Sequence, residues 1–144
     1  MCFVAVAGEN LLKNADFEKG STRWSGDRKI VSEGDNKICK VELEEDESVS
    51  FCQKIALQDP KDLILRFKIR KSDDYEGDEE VLIRFDEERS AMHTSRMIPD
   101  NHEWNEIEFH YTNYRDAKRI EIIFMVNRGA GTLYFDDIEL TEKD

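Results

Sequence analysis

Two carboxylates stand side by side near the C-terminus, Asp136 and Asp137 in the run TLYFDDIEL, residues 132–140. Adjacent acids invite two chemistries. One is glycoside hydrolysis, which needs two carboxyl groups flanking a single bond; the other is ligation of a hard cation by oxygen. The surrounding residues read as a strand, in which successive side chains point to opposite faces. Asp136 and Asp137 on a strand cannot cooperate across one bond, and one of them must turn toward the packed side. A carboxylate in apolar surroundings is costly unless it is paired or metal-bound. The chain holds 33 Asp and Glu in 144 residues, so close acidic pairs arise in any fold and carry little catalytic information.

Other reactive residues point no more strongly to catalysis. His93, His102 and His110 have no HExxH or regular ligand spacing. No GxSxG, P-loop or GxGxxG sequence occurs, and the NRGAGT turn lacks the following helix that phosphate binding requires. An enzyme is not expected. Of the three cysteines, Cys39 and Cys52 lie in KICKVEL and VSFCQKIAL, which read as adjacent hairpin strands around the acidic turn 44–48. They allow a cross-strand disulfide or two buried free thiols, and the burial tendency of free Cys favours the second.

The net charge of −12 disfavours nucleic acid and anionic membranes as partners, since both need clustered Lys and Arg. Acidity suits a cation, a neutral ligand such as a glycan, or plain solubility. No run approaches the ~18–20 apolar residues of a membrane span. At the start, AVA before Gly8 is similar to a small-residue signal cleavage site, but the apolar stretch is short and lacks a basic start. Residues 1–9 read as the remnant of a trimmed signal or as a leading strand, and 10–144 as one domain.

The elements that must position these residues are strands. LILRFKIR sets Leu63, Leu65, Phe67 and Ile69 on one face; EVLIRFDEE does the same with Val81, Ile83 and Phe85. WNEIEFHYT aligns Ile107, Phe109 and Tyr111, and RIEIIFMV aligns Ile120, Ile122, Phe124 and Val126. VSFCQKIAL fits the same pattern apart from Gln53. With NLLKN, RKIV, KICKVEL and the terminal run, about nine or ten short alternating strands predict an antiparallel sandwich or barrel. Outward positions include Arg66, Lys68, Arg84, Glu108, His110, Glu121, Ile123 and Met125. The segment from Ser90 to Glu103 has the weakest periodicity and reads as the longest connection.

Two terminal motifs carry a family resemblance. NLLKNADFEKGSTRW resembles the opening of family 4/9-type carbohydrate-binding modules, and GTLYFDDIEL resembles their last strand; EGDNKICKVE, Gln53 and HEWNEIEFHYT fall between them in the family's order. The resemblance implies an all-β, antiparallel β-sandwich of jelly-roll topology in the galactose-binding-like group. It implies a non-catalytic, secreted (extracellular or periplasmic) module that binds polysaccharide or oligosaccharide and is often linked to a glycoside hydrolase or a cell-surface protein. It also implies a structural calcium between the first and last strands. By that resemblance Glu18 and Asp136 are ligands, joined by Glu33 or Asp35 and by the carbonyl of Lys37. Sugar recognition needs aromatic faces and hydroxyl-bonding side chains. The candidates are Trp24, Arg66, Tyr75, Arg84, His110 and Tyr114, with Trp24 and Trp104 also at positions the family uses for packing. The outward faces are poor in aromatics, which leaves a structural or protein-interaction domain without sugar affinity as the alternative.

Overall fold

The computed structural model describes residues 10–20, 22–44, 48–87 and 91–143. The expectations for residues 1–9, and the centre of the 44–48 turn, lie outside the described residues. The strands are β1 (Ser25–Gly26), β2 (Lys29–Glu33), β3 (Asn36–Leu43), β4 (Val49–Ala56), β5 (Leu63–Lys71), β6 (Glu76–Gly77), β7 (Glu80–Glu87), β8 (Ala91–Met97), β9 (Asn105–Tyr111), β10 (Arg119–Val126) and β11 (Gly129–Glu142). They form a β-sandwich. One sheet has five strands in the order β1-β4-β10-β7-β8; the other has six, in the order β2-β3-β11-β5-β9 with β6 joined to β11. Every strand pair is antiparallel.

The alternation read from the sequence explains the layers. Leu65, Phe67 and Ile69 of β5, Val81, Ile83 and Phe85 of β7, and Ile122 and Phe124 of β10 are buried between the sheets. Aromatic rings fill the centre. Phe51 and Phe124 stack at 4.9 Å, Phe67 meets Phe124 edge-on at 5.2 Å, and Phe135 meets Phe51 edge-on at 5.0 Å. Such pairs each contribute about 0.5–1.5 kcal/mol beyond simple burial. Gln53 breaks the apolar pattern of β4 because it substitutes for a strand partner. Its Oε1 accepts from Lys13 N–H at 2.7 Å and its Nε2 donates to Lys13 C=O at 2.9 Å.

Several sequence expectations are corrected. NLLKN forms no strand; its backbone bends and is held by side chains. The expected long connection contains a strand, β8, an edge element that among the described residues pairs only with β7. Part of the expected NRGAGT turn belongs to β11. β3 and β4 are not a paired hairpin, since β3 runs between β2 and β11 while β4 runs between β1 and β10 in the other sheet. Cys39 and Cys52 therefore sit in separate layers, and both are free thiols, the first buried and the second half-buried. Burial pushes the Cys39 thiol up to about 12.

The two ends of the described chain meet. Asn10 donates its Nδ2 to Ile138 C=O at 2.9 Å, and its Oδ1 accepts from Leu140 N–H at 3.0 Å. Leu11 N–H reaches Leu140 C=O at 2.7 Å, and Ile138 N–H reaches Ala15 C=O at 3.1 Å. One amide side chain thus stitches the first segment to the last strand.

Candidate functional site

Alternation along β11 fails at the acidic pair. The register with β5 slips between Asp136, which faces Lys68, and Glu139, which faces Arg66, so β11 carries one extra residue there. Asp137 takes φ 47°, a left-handed value that suits a bulge. As expected, one acid is buried and the other exposed, but the burial has a different origin. By register Asp136 shares the side of Lys68 and Glu106, away from the core ring Phe135. It is nonetheless only 4% exposed. Asn36 at the start of β3 covers it, donating Nδ2 to Asp136 Oδ2 at 2.7 Å. The other oxygen, Oδ1, is buried without a hydrogen-bond partner. Burial raises the Asp136 carboxyl above its ordinary range, and the nearby charges of Asp137 and Glu18 push it the same way. Asp137 instead pairs with Lys68 Nζ at 3.0 Å.

Glu18 arrives from the N-terminal segment. Its Oε2 accepts from Lys37 N–H at 2.8 Å, and Lys37 Nζ donates to the Glu18 carbonyl at 3.3 Å. Neighbouring residues Asn36 and Lys37 thus hold Asp136 and Glu18, and the two carboxylates converge from opposite ends of the chain. The rest of the expected calcium set lies elsewhere. Glu33 is clamped by Arg70 through bonds of 3.0 and 2.6 Å, and that pairing lowers its carboxyl. Asp35 is exposed in the turn between β2 and β3. Among the described residues, no group of three or more His, Cys, Asp or Glu could hold a metal ion by side chains alone. The donor set that remains is Glu18, Asp136 with one unspent oxygen, and backbone at Asn36–Lys37. That suits a hard cation that mixes carboxylates with carbonyls and water.

The expected ligand residues do not share one surface. Arg66 and His110 face outward from the six-stranded sheet, where Arg66 bridges Glu108 at 2.8 Å and Glu139 at 3.3 Å and His110 lies 3.6 Å from Glu108. Arg84 is on the outer face of the five-stranded sheet, opposite Ile123 and paired with Asp86. Trp24 is corrected outright. It is 2% exposed and packs against Phe17 and Phe51, with its indole N–H donating to Asn14 C=O at 2.9 Å. Tyr75 is half-buried against the core, and its hydroxyl donates to Asp78 C=O at 2.7 Å, so it secures its own loop. Tyr114 is 78% exposed in the β9–β10 connection.

Two aromatic residues outside the expected set emerge on the six-stranded sheet. Trp104, expected to pack, instead lies half-buried outside the core, and Tyr134 follows Leu133 on the outward side of β11. The Arg70 guanidinium sits over both rings, 4.8 Å from the indole centre and 4.6 Å from the phenol centre. Their signal in the sequence was the outward phase of Tyr134, but their meeting depends on the pairing of Tyr134 with Arg70 across the sheet.

No helix among the described residues is long and apolar enough to cross a membrane. A scan against protein-family models finds no match, and a search of curated proteins finds none either. Solved structures do match over the whole described frame. A family 61 carbohydrate-binding module in complex with β-1,4-galactotriose superposes with a TM-score of 0.69 at 22% identity, over 94% of this chain and 99% of that one. A family 11 carbohydrate-binding module from Clostridium thermocellum, bound to a β-1,3-1,4-mixed-linked tetrasaccharide, gives 0.65 at 19% identity over 96% and 98%. A family 4 module gives 0.64 at 17% identity over 91% and 99%. The chain has the jelly-roll fold of carbohydrate-binding modules.

Proposed function

We propose that this protein is a non-catalytic carbohydrate-binding module that recognises a polysaccharide or oligosaccharide and is stabilised by a structural calcium ion. The observation that carries the reading is the end-to-end match, with almost nothing left over in either chain, to modules whose structures hold bound β-linked oligosaccharides. A module of this kind works by holding a linked hydrolase or a cell-surface protein against its glycan outside the cell. The acidic pair supports binding over hydrolysis, since Asp136 is buried while Asp137 is spent on Lys68.

The calcium reading rests on Asp136. A buried carboxylate oxygen without a partner is costly, and a cation between Asp136 and Glu18 offsets both burial and mutual repulsion. Held there with the Lys37 carbonyl, the ion supplies no chemistry beyond tying the two ends of the chain together. Affinity electrophoresis through gels containing neutral polysaccharides, run with calcium and with chelator, tests the whole reading. Retarded migration in at least one gel is expected; free migration in all of them, in both conditions, removes the sugar function. It would leave the alternative of a protein-interaction domain, which the half-buried apolar residues Leu82, Ile123 and Met125 on the five-stranded sheet favour.

A further inference from the structure

We infer that the saccharide is taken on the outer face of the six-stranded sheet, in a recess walled by Trp104, and that it is a neutral sugar. This rests on the carbohydrate-binding reading and adds its place and chemical class. The recess measures about 450 Å³, within the range of about 300–1,000 Å³ typical of small-ligand sites. Trp104 forms one side, and Asn36, Lys68, Asn105, Glu106, Asp136 and Asp137 supply the rest.

A sugar ring presents an apolar face and a rim of hydroxyls that both donate and accept, so its site needs a flat ring beside mixed donors and acceptors. Lys68 donates, Glu106 accepts, the Asn36 amide does both, and Asn105, whose Nδ2 already donates to Asn101 Oδ1 at 2.8 Å and Glu103 C=O at 2.9 Å, accepts through Oδ1. The ring is also pre-organised. Arg70 covers one side of the indole at 4.8 Å and is itself fixed by two bonds to Glu33. A ring already immobilised loses little freedom when a ligand stacks on it. The proposed calcium uses the free oxygen of Asp136, so direct sugar contacts fall to Lys68, Asn105 and Glu106.

Charge selects the class. Among the described residues the one cation lining the recess, Lys68, is neutralised by Asp137 at 3.0 Å, and with Asp136 given to the proposed calcium the exposed Glu106 carboxylate remains to repel uronates and sulfated sugars. The competing surface lacks a platform. Across the five-stranded sheet, the outward residues around Arg84 are Leu82, Ile123, Met125, Cys52 and His93, with no aromatic among the described residues. Three further recesses, beside Asp16, beside Arg23 and beside Arg119, are lined without an aromatic ring.

The test compares wild type with Trp104→Ala, Glu106→Ala, Arg84→Ala and Tyr114→Ala by affinity electrophoresis in β-1,4-galactan, mixed-linked β-glucan, xylan and polygalacturonate, with circular dichroism melts to check folding. Glu106 is exposed and outside the core, so its variant probes the recess even if Trp104→Ala is poorly folded. Wild type is expected to be retarded by a neutral polymer and not by polygalacturonate. Trp104→Ala and Glu106→Ala should weaken that binding, Trp104→Ala by about tenfold or more, the scale of a buried aromatic hot spot. Arg84→Ala and Tyr114→Ala should bind as wild type. Undiminished binding by folded Trp104→Ala, or by Glu106→Ala together with loss in Arg84→Ala or Tyr114→Ala, overturns the location while the carbohydrate reading stands. Preference for polygalacturonate overturns the neutral class. Binding of wild type to none of the four overturns both.

Discussion

The carboxylate of Asp136 offers the sharpest energetic test, because its environment has opposite consequences with and without a cation. Without calcium, Asp136 Oδ1 is buried and unpartnered, and Asp137 and Glu18 add repulsion. Replacing Asp136 with Asn keeps the oxygen that accepts from Asn36 and removes the charge. The amide nitrogen that replaces Oδ1 is just as unpartnered, so the gain comes only from losing the buried charge and its repulsion by Asp137 and Glu18; Asp136→Asn in chelator at neutral pH should stabilise the fold by about 1–3 kcal/mol, the scale of desolvating a buried polar group. For a chain of this size this is about 4–12 °C in melting temperature. The pH dependence follows from the direction of the shift. A carboxyl raised above its ordinary 3.8 binds its proton more tightly in the native state. The native protein gains that stability in full below the ordinary value and loses it as pH rises through the folded-state value. The advantage of Asn should therefore grow with pH across that window and vanish in acid, where both side chains are neutral. Calcium should reverse the comparison. Binding to the native state alone adds RT ln(1 + [L]/Kd), about 2.7 kcal/mol at one hundred times Kd, to wild type and not to the variant. Differential scanning calorimetry of both proteins, in chelator and in calcium over a pH series, reads all of these effects. A variant less stable than wild type in chelator at neutral pH would refute the premise that Asp136 is an uncompensated charge. A wild-type melt indifferent to calcium would remove the ion.

Three further outcomes test the frame around the site. Gln53→Ala removes both bonds to the Lys13 backbone; at about 1–3 kcal/mol for each group left unpaired, urea denaturation should show a loss of at least about 2 kcal/mol. Asn10→Ala breaks the side-chain contacts to Ile138, Leu140 and Leu12, with an expected cost of about 2 kcal/mol, and hydrogen exchange should rise first along the end of β11. Gly26→Ala places a Cβ 2.3 Å from the Ser50 carbonyl oxygen at φ 104°, so β1 should detach from β4, seen as faster amide exchange of Asp27, whose N–H bonds Ser50 C=O; unchanged exchange would mean that the backbone there relaxes freely.

What the linear order disclosed depended on where each residue lies in the sheets. Central strands such as β5 and β7 bury one face, so hydrophobic alternation announced them. β8 is an edge strand whose residues Ala91–Met97 are exposed or half-buried throughout, and alternation was silent because no face there is fully buried. Gln53 looked like an error in its strand until its partner proved to be backbone forty residues away. The convergence of Glu18 and Asp136 was legible because it follows from the chain ends meeting, a property of the whole topology. Glu33 was misplaced because its fate depends on Arg70, a strand that no local pattern connects to it. The same reason hid Trp104. Its role is set by a row that crosses β11, β5 and the entry to β9, where Tyr134, Arg70 and Trp104 come together from positions 134, 70 and 104. Strand phase tells which residues face outward; only register tells which of them share a ligand, and a binding face on a sheet is a property of register.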